Sequence, residues 1–317
     1  MNELVRVITE AGGAAGRRYL NGQGFSDRAL HAAVRAGAVL RARRGWYTVW
    51  PPHDPRYRAL RVGGRVTGLA AIQALGGWVL GSTRLDVAVP ANGARLRDPL
   101  RRRPLPSRGA RDLRVLWVAE RHDADTSTGL VDLADALTVV VRSESEETAV
   151  AALDWALHTG ELDEVALADL AAHFPKGCQL LVDQTDPRCD SLPESLTRTR
   201  LRALGLRVRS QVGVEGTSDI DLLVEGIVAV EVDGDLFHRE RFEADRAKDL
   251  AITAAGMHVL RPSARHVFHE WGAVLRAIRR ALRERGALAP ALTDPAPTAT
   301  STRSKRNIPR PTALMPI

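Results

Sequence analysis

Cysteine is scarce in this chain. Two occur in 317 residues, Cys178 and Cys189, and neither has a partner at Cys-x-x-Cys spacing, so the sequence offers no zinc cage and no disulfide framework. Long apolar runs are missing too. Residues 1–12 alternate charge with short apolar groups and lack the apolar stretch of a signal peptide, and no later segment reaches membrane-spanning length without a charge. A cytoplasmic chain with no membrane partner is the expectation. Lysine is also rare. The 45 basic residues, nearly all arginine, outweigh 38 acidic ones to give +7 and a pI near 10.2. Arginine's planar fork suits phosphate, although codon bias alone yields the same composition. What remains is ordinary for a globular protein: 44% hydrophobic and 26% charged residues, with length enough for two domains, or for one domain with a sizeable appendage.

Along the chain the first fifty residues have the clearest local pattern. Residues 5–9 and 14–20 read as short helices, and Ser26 can cap a third over 26–35. Leu30, Ala33 and Val34 form the inner face of that helix, and Arg28, His31 and Arg35 the outer one. Residues 39–41 and 45–50 then read as strands joined by the basic turn Ala42-Arg43-Arg44. Three helices followed by a basic hairpin is the order of a winged helix-turn-helix. The run from Gly24-Phe25-Ser26 to Gly45-Trp46-Tyr47 resembles the N-terminal domain of type IV abortive-infection antitoxins, a resemblance that extends weakly through Leu130-Val131-Asp132-Leu133-Ala134.

Residues 53–175 read as an α/β connecting domain without a catalytic constellation. Its tryptophans Trp78, Trp117 and Trp155 are expected in the core, Asp154 and His158 as a surface pair at i, i+4, and the arginine-rich stretch 95–114 as a solvated loop. After residue 286 the Pro, Thr, Ala and Ser content and the basic patch 303–310 point to a disordered tail.

The chemistry concentrates in 188–285. Residues 191–204 read as a helix with Glu194 in its first turn. Strands follow at 206–214, 219–224 and 227–233, then a helix at 242–255 and a last buried strand at 258–260. Asp221 lies in one strand of a hairpin. Glu231 and Asp233 lie in the next, two apart and so on one face. Carboxylates gathered on an apolar sheet face are costly unless a cation or a proton compensates, and a divalent metal is the natural explanation, since Mg2+ (or Mn2+) takes a few carboxylates plus water. Glu194 could complete the cluster.

This arrangement resembles the PD-(D/E)XK nuclease superfamily, in particular its branch similar to very-short-patch repair endonucleases. The match runs in order over about ninety residues. It comprises Pro193-Glu194-Ser195, Gln211-Val212, Asp219-Ile220-Asp221-Leu222, Glu231-Val232-Asp233-Gly234 and Phe237-His238, then Asp245-Arg246 with Asp249, Gly256, and Val259-Leu260-Arg261. The resemblance implies an αβββαβ restriction-endonuclease-like core in which Asp221 and Glu231 hold the metal, His238 is a candidate base or leaving-group acid, and Gln211, Arg246 and Asp249 support the site. The chain departs from the family pattern at Asp233, where a lysine usually stands. Arg246 or Lys248 on the next helix is a candidate source of the missing cation, although Arg246 also suits a structural ion pair with Asp245 or Asp249.

The sequence therefore reads as α/β, or α+β overall, in four parts: a winged helix-turn-helix (1–52), an α/β middle (53–175), an endonuclease-like domain (188–285) and a tail (286–317). The expected function is metal-dependent hydrolysis of DNA phosphodiesters. Ser26, Arg28, His31 and Arg35 would face the major groove, with Arg41, Arg43 and Arg44 on phosphate. The alternative is a non-catalytic antitoxin-type regulator with an inactive nuclease fold. A third reading has the middle domain neutralise a toxin partner.

Overall fold

A computed structural model of the protein describes residues 2–81, 84–101, 103–106, 112–118, 126–215, 217–233 and 242–286. The described residues form a mixed α and β structure of thirteen helices, one of them 3₁₀, and three small sheets. Among them no helix is long and apolar enough to cross a membrane. The disordered tail expected after 286 lies outside the described residues.

The chain begins with helix α1 (Asn2–Glu10), strand β1 (Ala14–Gly16), helices α2 (Arg17–Gly22) and α3 (Asp27–Arg35), and the hairpin β2 (Leu40–Arg43) and β3 (Trp46–Thr48). In α3 the Ser26 side chain accepts from the Ala29 amide at 3.2 Å, and Leu30 and Ala33 are buried. The segment 14–20 is not one helix. Ala14–Gly16 pairs antiparallel with β3, and the Thr48 hydroxyl donates to the Gly13 carbonyl at 2.7 Å. Alanine favours helix intrinsically, but here strand pairing overrides a weak propensity. Strand β7 (Thr126–Ser127) joins the other side of β1, giving the order β2-β3-β1-β7. The N-terminal sheet thus contains a piece from far along the chain. The boundary expected at 52 is also bridged, since Ala14, Ala42 and Trp50 share a core cluster with Tyr57 and Leu60 of helix α4 (Pro55–Val62).

The middle sheet runs β4 (Arg65–Thr67), β5 (Leu85–Pro90), β6 (Leu113–Val118), with β5 antiparallel to β4 and parallel to β6. Helices α5 (Gly68–Ala74), α6 (Leu133–Ser143) and α7 (Glu146–His158) supply the apolar faces of its core, and α8 (Glu164–Ala171) and the 3₁₀ segment Lys176–Gln184 close it. Two expectations fail here. Trp117 is 59% exposed, because β6 ends its sheet and that side chain leaves the core, whereas Trp155 is buried. Asp154 is fully buried, because its face of α7 packs on a later helix. The loop after 95 is more structured than expected. The buried Arg61 donates to the Arg101 carbonyl at 2.6 Å, and Asp98 is 5% exposed, 3.0 Å from Arg103.

The last part runs α9 (Leu192–Ala203), β8 (Val208–Val212), β9 (Ile220–Val224), β10 (Val228–Val230), α10 (Phe242–Ala254) and β11 (His258–Leu260). Its sheet has the order β11-β10-β9-β8, with β10 and β11 parallel and the other pairs antiparallel. Strand β11 is half-buried rather than buried. Two helices without a sequence expectation follow, α11 (Ala264–His269) and α12 (Trp271–Glu284), and Val274, Ile278 and Leu282 of α12 pack on Leu222, Val224, Val228 and Val230. The two outer faces of this sheet are thereby unequal: α12 fills one, leaving the carboxylate-bearing residues to the other parts of the fold.

Gly13 offers a test of the first sheet. Its φ is +99°, and a methyl group built on it would lie 2.3 Å from Trp50 Nε1, so both backbone and space demand glycine. Gly13→Ala is expected to lower stability in urea unfolding by about 2 kcal/mol or more. An unchanged midpoint would show that the β1 to Trp50 contact is not tight.

Candidate functional site

The site is built around the middle of the last sheet. Ser191 caps α9, its hydroxyl accepting from the Glu194 amide at 3.4 Å and donating to Glu194 Oε1 at 2.6 Å. The other Glu194 oxygen accepts from the Asp190 amide at 3.0 Å and from Gln211 Nε2 at 3.3 Å. Glu194 is therefore a buried carboxylate held by three donors, and its position follows from the cap of its helix. Gln211 reaches it from a left-handed backbone, φ +47°, between the paired positions Ser210–Leu222 and Val212–Ile220. That conformation is costly for a side chain with a Cβ, and it occurs here beside the carboxylates.

Asp221, on β9, accepts from the Val232 amide at 2.8 Å, and its own amide donates to Glu231 Oε1 at 3.3 Å. Glu231 follows β10 and is 6% exposed, its amide bound to the Leu260 carbonyl at 2.9 Å. Burial first, then the charges of Glu231 and Glu194, push the Asp221 carboxyl up to about 7. Burial likewise raises Glu194, against the hydrogen bonds that hold it. These carboxylates therefore interact strongly without their charges being fully balanced by the protein.

The positive charge in the cluster is Lys248 of α10. Its ammonium lies 2.5 Å from Glu231 Oε2 and donates to the Asp219 carbonyl at 2.6 Å, and the residue is 9% exposed. Lysine is available for this role at only three positions in the chain, Lys176, Lys248 and Lys305. Arg246, the other cation considered from sequence, lies exposed on the same helix. Asp249 and Asp245 pair with Arg261, at 2.9 and 3.4 Å. Asp249 therefore stabilises the α10 to β11 connection rather than the carboxylate cluster.

Strand β10 ends at Val230, and beyond it the chain pairs with the segment after β11 through Asp233 and Ser263. The Asp233 side chain is 42% exposed and stands 3.8 Å from Arg261 Nη1. Alternation alone places it beside Glu231, but its contacts are with the arginine. Burial raises its carboxyl, with Arg261 opposing. His238 lies outside the described residues.

Of the residues considered from sequence, the structure thus brings together Glu194, Gln211, Asp221, Glu231 and Lys248, and separates Asp233 and Asp249 toward Arg261. Among the described residues no group of three or more His, Cys, Asp or Glu side chains is arranged to hold a metal ion. Asp221 and Glu231 are a two-carboxylate set of hard oxygens, which suits Mg2+, an ion that keeps several waters. Burial, more than the charges of Glu231 and Glu194, is what raises the Asp221 carboxyl.

The N-terminal surface is separate. Ser26, Arg28, His31, Arg35, Arg41 and Arg44 are exposed, though the Ser26 oxygen is already occupied as the cap of α3. Arg43 is half-buried over Gly63, and burial together with Arg97 lowers its pKa. Its guanidinium therefore packs against the body rather than extending outward with its neighbours. No protein-family model matches the chain, and a search of curated proteins finds no match.

Asp221 gives a measurable pH signature. Its folded pKa of about 7 exceeds the usual 3.8, so the folded state holds the extra proton between those values and stability falls as pH rises through them. In chelator, Asp221→Asn is expected to be more stable than the parent at pH 8 by on the order of 1–3 kcal/mol, and the gain should shrink toward pH 4. A difference that is flat with pH would contradict the crowding of Asp221.

Proposed function

We propose that the chain is a DNA-acting protein whose C-terminal part is a metal-dependent endonuclease of the PD-(D/E)XK type, delivered to duplex DNA by an N-terminal winged helix-turn-helix. The observation that carries the reading is the buried meeting of Asp221, Glu231 and Lys248, with Glu194 and Gln211 beside them. Lys248 supports it most directly. The lysine missing from position 233 has a counterpart that arrives from α10, so a positive charge stands beside Glu231 even though the local motif lacks it.

Asp221 and Glu231 would hold magnesium or manganese, which when bound supplies Lewis acidity toward a phosphate oxygen and lowers the pKa of a coordinated water. The protein's own groups would do the rest. The Lys248 ammonium, fixed by the Asp219 carbonyl, offsets the growing negative charge of a phosphorane-like transition state. Glu194, fixed by Ser191, Asp190 and Gln211, keeps a second acidic group at the edge of the cluster, where it can accept a hydrogen bond from water. His238 is retained as a candidate for protonating the leaving oxygen.

For the winged helix, support comes from the exposed row Arg28, His31 and Arg35 on α3 and the exposed Arg41 and Arg44 of the hairpin. These would provide position on phosphate more than sequence selection. A second reading, a non-catalytic antitoxin-type regulator, is favoured by the close Glu231–Lys248 ion pair with no third metal ligand among the described residues. It keeps the same DNA-binding surface, and a toxin partner would belong to it.

Incubation with duplex, nicked and mismatched DNA distinguishes the two. The parent is expected to cut at least one of them with Mg2+ or Mn2+ and not in chelator, Glu231→Ala to be inactive, and Lys248→Met to be slower by about 10²–10³-fold. DNA retained on a gel with no cutting by any version would favour the regulator. The hairpin makes its own forecast: Arg44→Ala should reduce the salt dependence of DNA binding by about one counterion. Arg43→Ala should leave that slope unchanged and lower the melting temperature instead, and the opposite pattern would move the phosphate contact to Arg43.

A further inference from the structure

Helix α7 belongs to the middle part of the chain, yet its polar face grips the beginning of α9. Asp154 is fully buried there. One of its oxygens accepts from the Asp186 amide at 2.8 Å, and the other accepts from the Ser195 hydroxyl and from Arg198 Nη2 at 2.7 Å. One turn along α7, His158 Nδ1 lies 3.2 Å from the Pro187 carbonyl and 3.6 Å from Asp190 Oδ1. Ser195 directly follows Glu194, and the Asp190 amide is one of the donors to Glu194. Both flanks of Glu194 are therefore tied to α7.

Arg198 makes this tie specific. Its side chain is fully buried, and among the described residues its Nε and Nη1 have no hydrogen-bond partner, so the hydrogen bond to Asp154 is the one that fixes its guanidinium. Asp186 gives weaker support at 3.7 Å. A buried charge with so few partners holds its helix in one register, because any slip leaves it uncompensated. The ordinary alternative, simple glue between two units, is already served by another bridge. Glu147 of α7 pairs with Arg200 at 2.7 Å, farther from Glu194 along α9.

We propose that Asp154 is a positioning residue for the carboxylate site: through Ser195, Arg198 and the 186–190 segment it sets where Glu194 stands beside Gln211 and Asp221, so that the middle part of the chain is a component of the site and not a connector. The proposal rests on the nuclease reading above, and it goes beyond it by giving the middle part a task.

The test compares Ser195→Ala, Asp154→Asn and Glu147→Gln in the full chain, by Mn2+ titration calorimetry and steady-state DNA cleavage. Ser195→Ala removes one hydrogen bond and little volume, so it reports even if Asp154→Asn fails to fold. Ser195→Ala and any folded Asp154→Asn should bind Mn2+ more weakly and turn over more slowly, by about tenfold or more, with KM for DNA unchanged. Glu147→Gln, which breaks the remote bridge, should match the parent in both. A folded Ser195→Ala with parental Mn2+ affinity and kcat overturns the proposal, as does an equal loss in Glu147→Gln, which would mean general loosening. A parent that neither binds Mn2+ nor cuts overturns the nuclease reading itself, a result visible before any variant is compared.

Discussion

Two carboxylates on one closed sheet face repel each other, and much of the C-terminal architecture answers that repulsion. Asp221 and Glu231 are brought together by antiparallel pairing of neighbouring strands, with the Asp221 amide donating to Glu231. Lys248 approaches Glu231 from the helix that crosses between β10 and β11, so the crossover needed to make those strands parallel also delivers the charge. The raised Asp221 shows that one lysine does not finish the compensation.

The same constraint explains why the site draws on elements distant in sequence. Glu194 sits at the capped start of α9, and that start is fixed from outside by α7. Buried ion pairs are poor sources of net stability, because desolvation cancels much of the attraction, but removing one partner is severe. Asp154 and Arg198 therefore specify an arrangement more than they strengthen it. At the other end of the chain, the exposed arginines of α3 and the hairpin stand on a sheet that incorporates β7, so the basic surface too is anchored to the middle of the chain.

Local rules made some of this legible and missed the rest for identifiable reasons. The helix read over 191–204 puts Glu194 in its first turn, and the alternation of Ile220, Asp221 and Leu222 announces a strand with one acidic side chain set apart from its neighbours. Those signals depend on residues close in sequence. Parity alone did not place the Asp233 carboxylate, because the chain keeps its register against the β11 side through Ser263 while Arg261, next to that partner segment, draws the side chain to itself. Ala14 and Ala15 read as helix because their strand exists through pairing with Tyr47 and Thr48 on one side and Thr126 and Ser127 on the other, all distant in sequence. The pairing of Lys248 with Glu231, and the burial of Asp154, depend on contacts across 17 and 44 residues, which no local period records. The missing lysine at position 233 was the sequence signal that pointed to Lys248, together with Arg246, and by itself it indicated no partner.

The central claim is that Asp221 and Glu231 form a divalent-cation site next to Lys248. Anomalous diffraction from crystals equilibrated with Mn2+ tests it most directly. The account predicts a single strong peak contacted by carboxylate oxygens of both residues, absent from Glu231→Ala crystals. A well-ordered structure with Glu231 still closed on Lys248 and no anomalous peak at Asp221 would contradict it.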